Sequence, residues 1–526
     1  HAFFLPASLK AAAEWDVDEA ATRILAAINR LRLPLSFDAT CSPPRCQAKL
    51  RKNASTLEHV ALARTIAAES IVLLKNGGKL LPLTSSSARS IAIIGSASVA
   101  KPYNPNGQGQ EEGHGKWWTG DYYSGGGSGH VAASSVALPL LAIRRRAELA
   151  GLRVFESPAN DIREAVVAAE RSDISIIVAA TTSGESQDRH NLHLDDDADR
   201  LIDAVASVGK PTIVLLQVPG AVVMPWRDNV TAILVMFLGG QETGSAWADV
   251  LFGDHCPAGK LPVMMPATER DAVPPTTTGR VVYSEGMATS YRNKDFVPAF
   301  PFGHGLTYTT FVYVSVAAGD CSAPTGLRAP DGKLRDAAYC VHVPVLNSGI
   351  LSGRTVVQLY LELSPEAGQP APLLKAFHKT SVVPPGRAED VVFRLSNKDL
   401  SYYSKFRGSW VKARSATAHV GESSRDIRLS VVLFRPREEA PHKPKDTTGH
   451  TSIIKEAGLA ATLMLVAAPI AAAIAIGIVC LARQSGISDE PVSARRVSFT
   501  NPQDEEETLA LELRDQAEMD AELQNE

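Results

Sequence analysis

No CxxC and no HExxH spacing occurs anywhere in this sequence, so the common zinc-ribbon and zincin arrangements are excluded and no metal is expected. A broad basic field is also lacking. The formal net charge over 526 residues is −4, which offers nucleic acid no electrostatic footing. The glycine run Gly125–Gly129 is not followed by Lys-Ser or Lys-Thr, so it reads as tight backbone turns and not as a phosphate-binding loop. Nor does the sequence open on a leader. Its first residue is His1, and no basic stretch precedes an apolar one. The expectation is a chain that begins inside something longer. None of these features implies an organic cofactor, and nothing in them specifies an oligomeric state.

Cysteine is scarce, with six in the chain. Cys41 and Cys46 flank the turn Ser42-Pro43-Pro44-Arg45, and Cys321 and Cys340 bracket a polar, Gly- and Pro-bearing loop. Both pairs suit disulfides in an oxidising compartment, with free thiols as the alternative. Asn53-Ala54-Ser55 and Asn229-Val230-Thr231 are glycosylation sequons, so Asn53 and Asn229 are candidate acceptors.

What is abundant is apolar sequence, at 45%. Residues Ala457 to Ala482 form a 26-residue run in which Thr462 is the one ordinary polar side chain. At roughly 1.5 Å per residue such a run exceeds a hydrocarbon core of roughly 30 Å, so a transmembrane helix is expected there. The Pro-, Lys- and Glu-rich segment before it reads as a stalk, and the polar, acidic segment after it as a tail. Arg495 and Arg496 favour a cytoplasmic tail. The expected localisation is therefore a single-pass protein in a lipid bilayer, its large N-terminal part extracellular or lumenal.

Before that run the patterning changes twice. Glu19 to Leu33 has apolar residues at helical spacing, and a second helix follows Ser55-Thr56-Leu57-Glu58, a capping-box pattern. From Ser90, five apolar runs (Ile91–Ile94, Leu152–Phe155, Ile174–Val178, Thr212–Gln217, Ala232–Leu238) alternate with helical patterns near Leu138–Leu149, Ile162–Arg171, Asp196–Val208 and Thr243–Leu251. Continuously apolar strands separated by helices predict a parallel sheet covered on both faces, an α/β sandwich. Ligands in such sheets meet the loops beyond the strands' carboxyl ends. Two of those loops are long: the one after Ile94, with Trp117, Trp118 and the glycine run, and the one after Val178, with Ser183 to His190. After Phe311 the pattern is all-β. Tyr339–Val345, Thr355–Leu361, Val391–Leu395, Trp410–Ala413 and Ile427–Val432 predict a small sandwich of roughly 110–120 residues.

Several motifs occur in a recognisable order. They are Asp16-Val17-Asp18-Glu19, Glu69-Ser70-Ile71-Val72-Leu73-Leu74-Lys75-Asn76, Ser183-Gly184-Glu185 with Asp188-Arg189, Pro257-Ala258-Gly259-Lys260-Leu261-Pro262, Phe300-Pro301-Phe302-Gly303-His304-Gly305, and Val357-Gln358-Leu359-Tyr360-Leu361. Each is weak alone. Together, over about residues 10 to 432, the chain resembles glycoside hydrolase family 3, the β-glucosidase and β-xylosidase group. The resemblance implies an N-terminal barrel bearing an aspartate nucleophile, then an α/β sandwich, then a fibronectin type III-like domain. It implies that Glu185 is the general acid/base, and that Trp117 or Trp118 stacks on a sugar ring. Asp188 and Arg189 are weaker substrate-binding candidates, with an ion pair that holds the loop as the alternative. His190 and His193 read as surface residues. One departure stands out: the family usually has Gly after the glutamate, and here Ser186 follows.

The expected organisation is the end of a missing barrel plus linker over 1–50, the α/β domain over 51–311, and the fibronectin-like domain over 312–434. A stalk over 435–456, the transmembrane helix over 457–482 and the tail over 483–526 complete it. The expected function is hydrolysis of terminal β-linked glucose by a retaining mechanism, on a β-glycoside or oligosaccharide. The chain by itself is expected to be inactive, because the nucleophile would lie on the absent barrel. The alternatives are a β-xylosidase, or a non-catalytic carbohydrate- or protein-binding module.

Overall fold

The computed structural model describes residues 13–30, 54–103, 120–131, 133, 135–186, 188–273, 282–319, 321 and 337–435. The first helix, α1 (Glu14–Arg30), buries none of its residues. Helix α2 (Leu57–Ser70) is capped one residue later than the sequence pattern suggests. Thr56 is the N-cap, and its hydroxyl and amide exchange hydrogen bonds with His59. An imidazole nitrogen at the third helical position takes the role that Glu58 was expected to take.

Six strands form the α/β sheet: β1 (Val72–Asn76), β2 (Ser90–Ile94), β3 (Arg153–Ser157), β4 (Ile174–Ala180), β5 (Thr212–Gln217) and β6 (Ala232–Met236). Their order is β1-β6-β5-β4-β2-β3. All pairings are parallel except β1 with β6, which is antiparallel. Strands β2, β4, β5 and β6 are buried at every residue, the signature of a sheet covered on both faces. One covering layer holds α2, α3 (Pro139–Leu149) and α6 (Thr243–Leu251), which pack through Ile143, Trp247 and Leu251. The other holds α4 (Ile162–Arg171) and α5 (Ala198–Ala206), which pack through Ala165, Leu201 and Ile202 beside Trp226.

The chain passes from β2 outward to β3 and then returns to the far side of β2 as β4. The strand order therefore reverses between β2 and β4, and the loops leaving their carboxyl ends part there. That crevice is where open α/β sheets receive ligands.

The second domain has one sheet of β10 (Ala317–Gly319), β11 (Ala337–Asn347) and β14 (Ala388–Ser396), with β9 (Phe311–Tyr313) also on β11. The other sheet orders β13 (Leu373–Lys379), β12 (Val356–Leu363), β17 (Ala416–Ser423) and β18 (Asp426–Phe434). A ribbon of β15 (Ser401–Ser404) and β16 (Ser409–Lys412) flanks them, and a short β7–β8 pair (Met265–Pro266, Pro298–Phe300) lies between the domains in sequence. Cys321 and Cys340 are joined by a disulfide. Cys41 and Cys46 lie outside the described residues.

The domains are locked by polar contacts. Glu422 is bonded to Lys260, to the Tyr313 hydroxyl at 2.9 Å and to Thr355 Oγ1 at 3.1 Å. Gln358 Nε2 donates to the carbonyls of Gly303 (2.9 Å) and Glu422 (2.6 Å). A Cβ on Gly303, whose φ is +80°, would run into the Gln358 side chain, so only glycine fits that motif position. The next residue, His304, gives Nε2 to the Leu74 carbonyl at 2.9 Å, and burial pushes its pKa down, so it stays neutral. Glu69 at the end of α2 pairs with Arg354 at 3.0 Å and Lys379 at 2.7 Å. Glu422→Ala is expected to destabilise the chain by about 3 kcal/mol, because it strands the buried Lys260 ammonium beside the Gly305 carbonyl alone. Urea unfolding of the variant against wild type checks this; a loss below 1 kcal/mol, of the order of an exposed ion pair, contradicts it.

The architecture is thus an α/β sandwich followed by a β-sandwich, and the expected terminal membrane element is corrected. No helix among the described residues is long and apolar enough to cross a membrane. Residues 457–482 lie outside the described residues, as do 436–456 and 483–526. The single-pass localisation and the lipid bilayer as partner therefore have no support in this fold.

Candidate active site

The site is built from the loops that follow β2 and β4. The β2 loop is organised by Asp121, which is 1% exposed. Its carboxylate accepts the backbone N–H groups of Tyr103 (2.7 Å), Tyr123 (2.8 Å) and Ser124 (2.6 Å). A buried carboxylate is tolerated only with such donors, and in return it satisfies amides that no strand could pair. Tyr123 passes its hydroxyl to the Ala100 carbonyl at 2.6 Å. Burial, and secondarily the Asp121 charge, hold that phenol well above its usual pKa.

The β4 loop is fixed at its base by Thr181, which donates to Asp195 Oδ1 at 2.9 Å, and by Thr182, which donates to the Asp121 carbonyl at 2.9 Å. Tyr122 donates to Asp195 from the β2 loop at 3.2 Å. Burial raises the Asp195 pKa, and the Thr181 and Tyr122 hydroxyls pull it back.

The two loops then run alongside each other. Gly126 N–H donates to the Ser183 carbonyl at 3.0 Å, and Glu185 N–H to the Gly126 carbonyl at 3.3 Å. That bridge places Glu185 over the glycine run. Gly127 has φ +88°, and a Cβ there would collide with the Glu185 side chain. The run is therefore glycine-rich for two reasons at this position, the left-handed backbone and the close approach of the glutamate.

The Glu185 carboxylate is exposed. Its Oε2 accepts two hydrogen bonds from Ser128, from the backbone N–H at 2.8 Å and from the hydroxyl at 2.6 Å. The Ser128 hydroxyl, then its amide, holds the Glu185 pKa below the usual carboxylate value. Ser186 sits at φ +61°, the left-handed conformation that glycine adopts freely. The departure at Ser186 thus keeps the turn and accepts a strain of about 1–2 kcal/mol.

Ser128→Ala removes the first of these donors. The Glu185 pKa is expected to rise toward the ordinary carboxylate range. A carboxyl whose pKa is depressed in the folded state contributes stability above its unfolded pKa, and that stability is lost as pH falls through the folded pKa. The variant should therefore be less stable than wild type above the ordinary carboxylate range, and the difference should close as pH falls through the folded pKa. Carbon-13 NMR titration of the Glu185 side chain reads this directly. An unchanged titration would show that Ser128 does not tune the group.

Around this centre the other candidates distribute unevenly. Asp188 is exposed, and no ion pair joins it to Arg189 among the described residues. Arg189 instead gives Nη2 to the Ala221 carbonyl at 2.7 Å, so the loop is tied to backbone and not to Asp188. Its Nη1 is buried without a partner among the described residues, and burial lowers its pKa, opposed by Asp195. His190 is exposed, and His193 contacts Asp199 at 2.8 Å. Trp117, Trp118 and Asn53 lie outside the described residues. Asn229 is exposed in the turn before β6. No group of three or more His, Cys, Asp or Glu among the described residues could hold a metal ion.

Three residues that organise the candidate site escaped the sequence reading. Asp121, Asp195 and Ser128 carry no motif of their own, and the Ser128–Glu185 bond joins positions 57 apart in the chain. The available signal was the coincidence of two long loops on neighbouring strand ends.

Comparison with known proteins identifies the two domains. Residues 71–308 match the family model of the glycosyl hydrolase family 3 C-terminal domain, and residues 355–424 match the fibronectin type III-like domain. The chain is 34% identical over 437 residues to probable beta-glucosidase L of Aspergillus terreus, covering 78% of this chain and 58% of that one. It is 36% identical over 407 residues to probable beta-glucosidase L of Emericella nidulans, covering 72% and 53%. Among solved structures it superposes on beta-glucosidase D2-BGL from Chaetomella raphigera with a TM-score of 0.63 at 33% identity, covering 72% of this chain and 55% of that one. The chain thus spans between 53 and 58% of the length of these relatives. Through its α/β domain and the fibronectin type III-like domain that follows, the chain belongs to glycoside hydrolase family 3.

Proposed function

We propose that this chain supplies the acid/base half of a retaining β-glucosidase, with Glu185 as the proton donor and acceptor. The observation that carries the reading is the presentation of Glu185. An exposed carboxylate is held by two interlocked loops at the point where the strand order reverses. The relatives' names support a β-glucoside as substrate, with a β-xyloside as the finer alternative.

In a retaining mechanism two carboxyl groups stand roughly 5–5.5 Å apart. One attacks the anomeric carbon while the other protonates the departing oxygen. The second then takes a proton from the water that releases the sugar. The two acids that organise these loops are committed to structural bonds. Asp121 holds three amides, and Asp195 holds two hydroxyls. The nucleophile is assigned to a part outside the described residues, in keeping with relatives of which the chain spans 53 to 58%. Exposed apolar side chains on α1 (Trp15, Ile24, Leu25) and α2 (Leu57, Leu62, Ile66) support a further packed element beside this domain.

A general acid at neutral pH needs a raised pKa, and Ser128 acts in the opposite direction. A second carboxylate nearby and the exclusion of water by bound sugar both raise it. Ser128 would then hold Glu185 ionised and in place until substrate arrives. The second reading, a non-catalytic module, is favoured by that same lowered pKa. Assay of the chain joined to the part of the Aspergillus terreus relative that it does not match separates the two. Hydrolysis of an aryl β-glucoside that depends on Glu185 supports the enzyme. Turnover indifferent to Glu185 overturns the assignment.

A further inference from the structure

The β15–β16 ribbon exposes rings that its fold does not need exposed. One face of the ribbon turns inward, where Tyr402 packs against the sandwich core. The other carries Tyr403 and Trp410, which are direct cross-strand partners. Their rings meet edge to face with centroids 6.0 Å apart. Trp410 is 62% exposed and Tyr403 53%, and Phe406 in the connecting turn is 98% exposed. Large rings left in water, grouped on one small element, are characteristic of an interaction surface.

The charge around them is one-sided. Residues 397–414 contain Lys398, Lys405, Arg407, Lys412 and Arg414 against Asp399 alone, in a chain whose net charge is −4. The Asp399 carboxylate is occupied by the amide and hydroxyl of Ser396. Arg414 reaches Glu366 at 3.6 Å, and Lys412 reaches the Asn397 amide oxygen at 3.2 Å. Lys405 and Arg407, on either side of Phe406, have no acidic partner among the described residues.

We propose that this ribbon docks an acidic polysaccharide, a glycan chain that bears uronate carboxylates. Tyr and Trp rings give a sugar's apolar face rigid contact area at little entropic cost. The exposed Ser409 and Asn397 flank them as hydrogen-bonding groups for hydroxyls. Lys405, Arg407 and Lys412 meet the carboxylates, with Arg407 able to engage one in bidentate fashion. A neutral glycan would use the rings and leave the cations idle. A lipid surface would use Phe406 and the cations, but the Tyr–Trp pair lies along the strands and not at the tip.

The test is affinity electrophoresis and calorimetry of the full 526-residue chain with polygalacturonate, at low and high salt. Wild type is expected to bind, and more weakly at high salt. Trp410→Ala and Tyr403→Ala should each weaken binding about tenfold. Joint reversal with Lys405→Glu and Arg407→Glu should weaken it about tenfold or more and flatten the salt dependence. All these side chains are exposed, so the thermal midpoint should hold and serves as the folding control. Equal binding by wild type and both sets of variants overturns the proposal. So does equal retardation by neutral laminarin, or binding to phosphatidylserine vesicles without binding to polygalacturonate. The readout is binding, so it stands or falls independently of the hydrolytic reading of Glu185.

Discussion

Glu185→Gln is expected to cut turnover of an aryl β-glucoside by roughly 10²–10⁴-fold in the chain joined to the unmatched part of its Aspergillus terreus relative. The amide has nearly the shape of the carboxyl and still accepts from Ser128, so the loop should hold. What disappears is the proton. The loss should therefore depend on the leaving group. A dinitrophenolate departs without protonation, so the first step survives and the sugar stays on the nucleophile. An alkyl glucoside needs the acid, so its first step should show the full loss. A uniform loss across leaving groups would point to collapse of the loop and not to proton transfer.

Asp121→Ala is expected to lower stability as much as loss of the Glu422–Lys260 pair does. It leaves three backbone N–H groups without their acceptor in a buried loop. Each such orphan costs about 1–3 kcal/mol, and opening of the loop to water limits the sum, so a loss of roughly 3 kcal/mol is expected. The amides of Tyr103, Tyr123 and Ser124 should lose hydrogen-exchange protection together, while those of β5 keep theirs. Glu185 should titrate nearer its ordinary value, because Ser128 is delivered by the same loop. Asp121→Asn keeps one acceptor oxygen but turns an NH₂ toward amide donors, so it should be intermediate. Chemical unfolding with site-resolved exchange decides the matter, and uniform protection in Asp121→Ala would contradict the account.

The α/β core was legible because four of its strands are buried at every residue and nearly continuously apolar, and its helices bury regular stripes. The first strand was less so. Val72–Asn76 follows α2 with almost no turn sequence, and its antiparallel pairing with β6 leaves no trace in composition. In the second domain β17 escaped because its inward residues include Ala416 and Ala418, whose small side chains give weak alternation. Strand β13 escaped because its residues are only partly buried. At the site, Glu185 was readable by resemblance and Ser186 as a departure. Asp121 and Ser128 were not, since what matters about them is the close approach of two loops distant in the chain. The ion pair expected between Asp188 and Arg189 fails for a related reason: the nearest strong acceptor for the guanidinium is the Ala221 carbonyl. The transmembrane reading rested on hydropathy alone and finds no helix among the described residues to support it.

The role of Glu185 is tested most directly by the product that Glu185→Gly forms from dinitrophenyl β-glucoside in the presence of azide, in the same joined protein. With the base gone, water is slow to release the sugar, and azide, which needs no deprotonation, fills the space. The account predicts faster turnover with azide and accumulation of β-glucosyl azide, with retained configuration. Turnover unaffected by azide, with glucose as the product at the wild-type rate, would show that another group carries the proton.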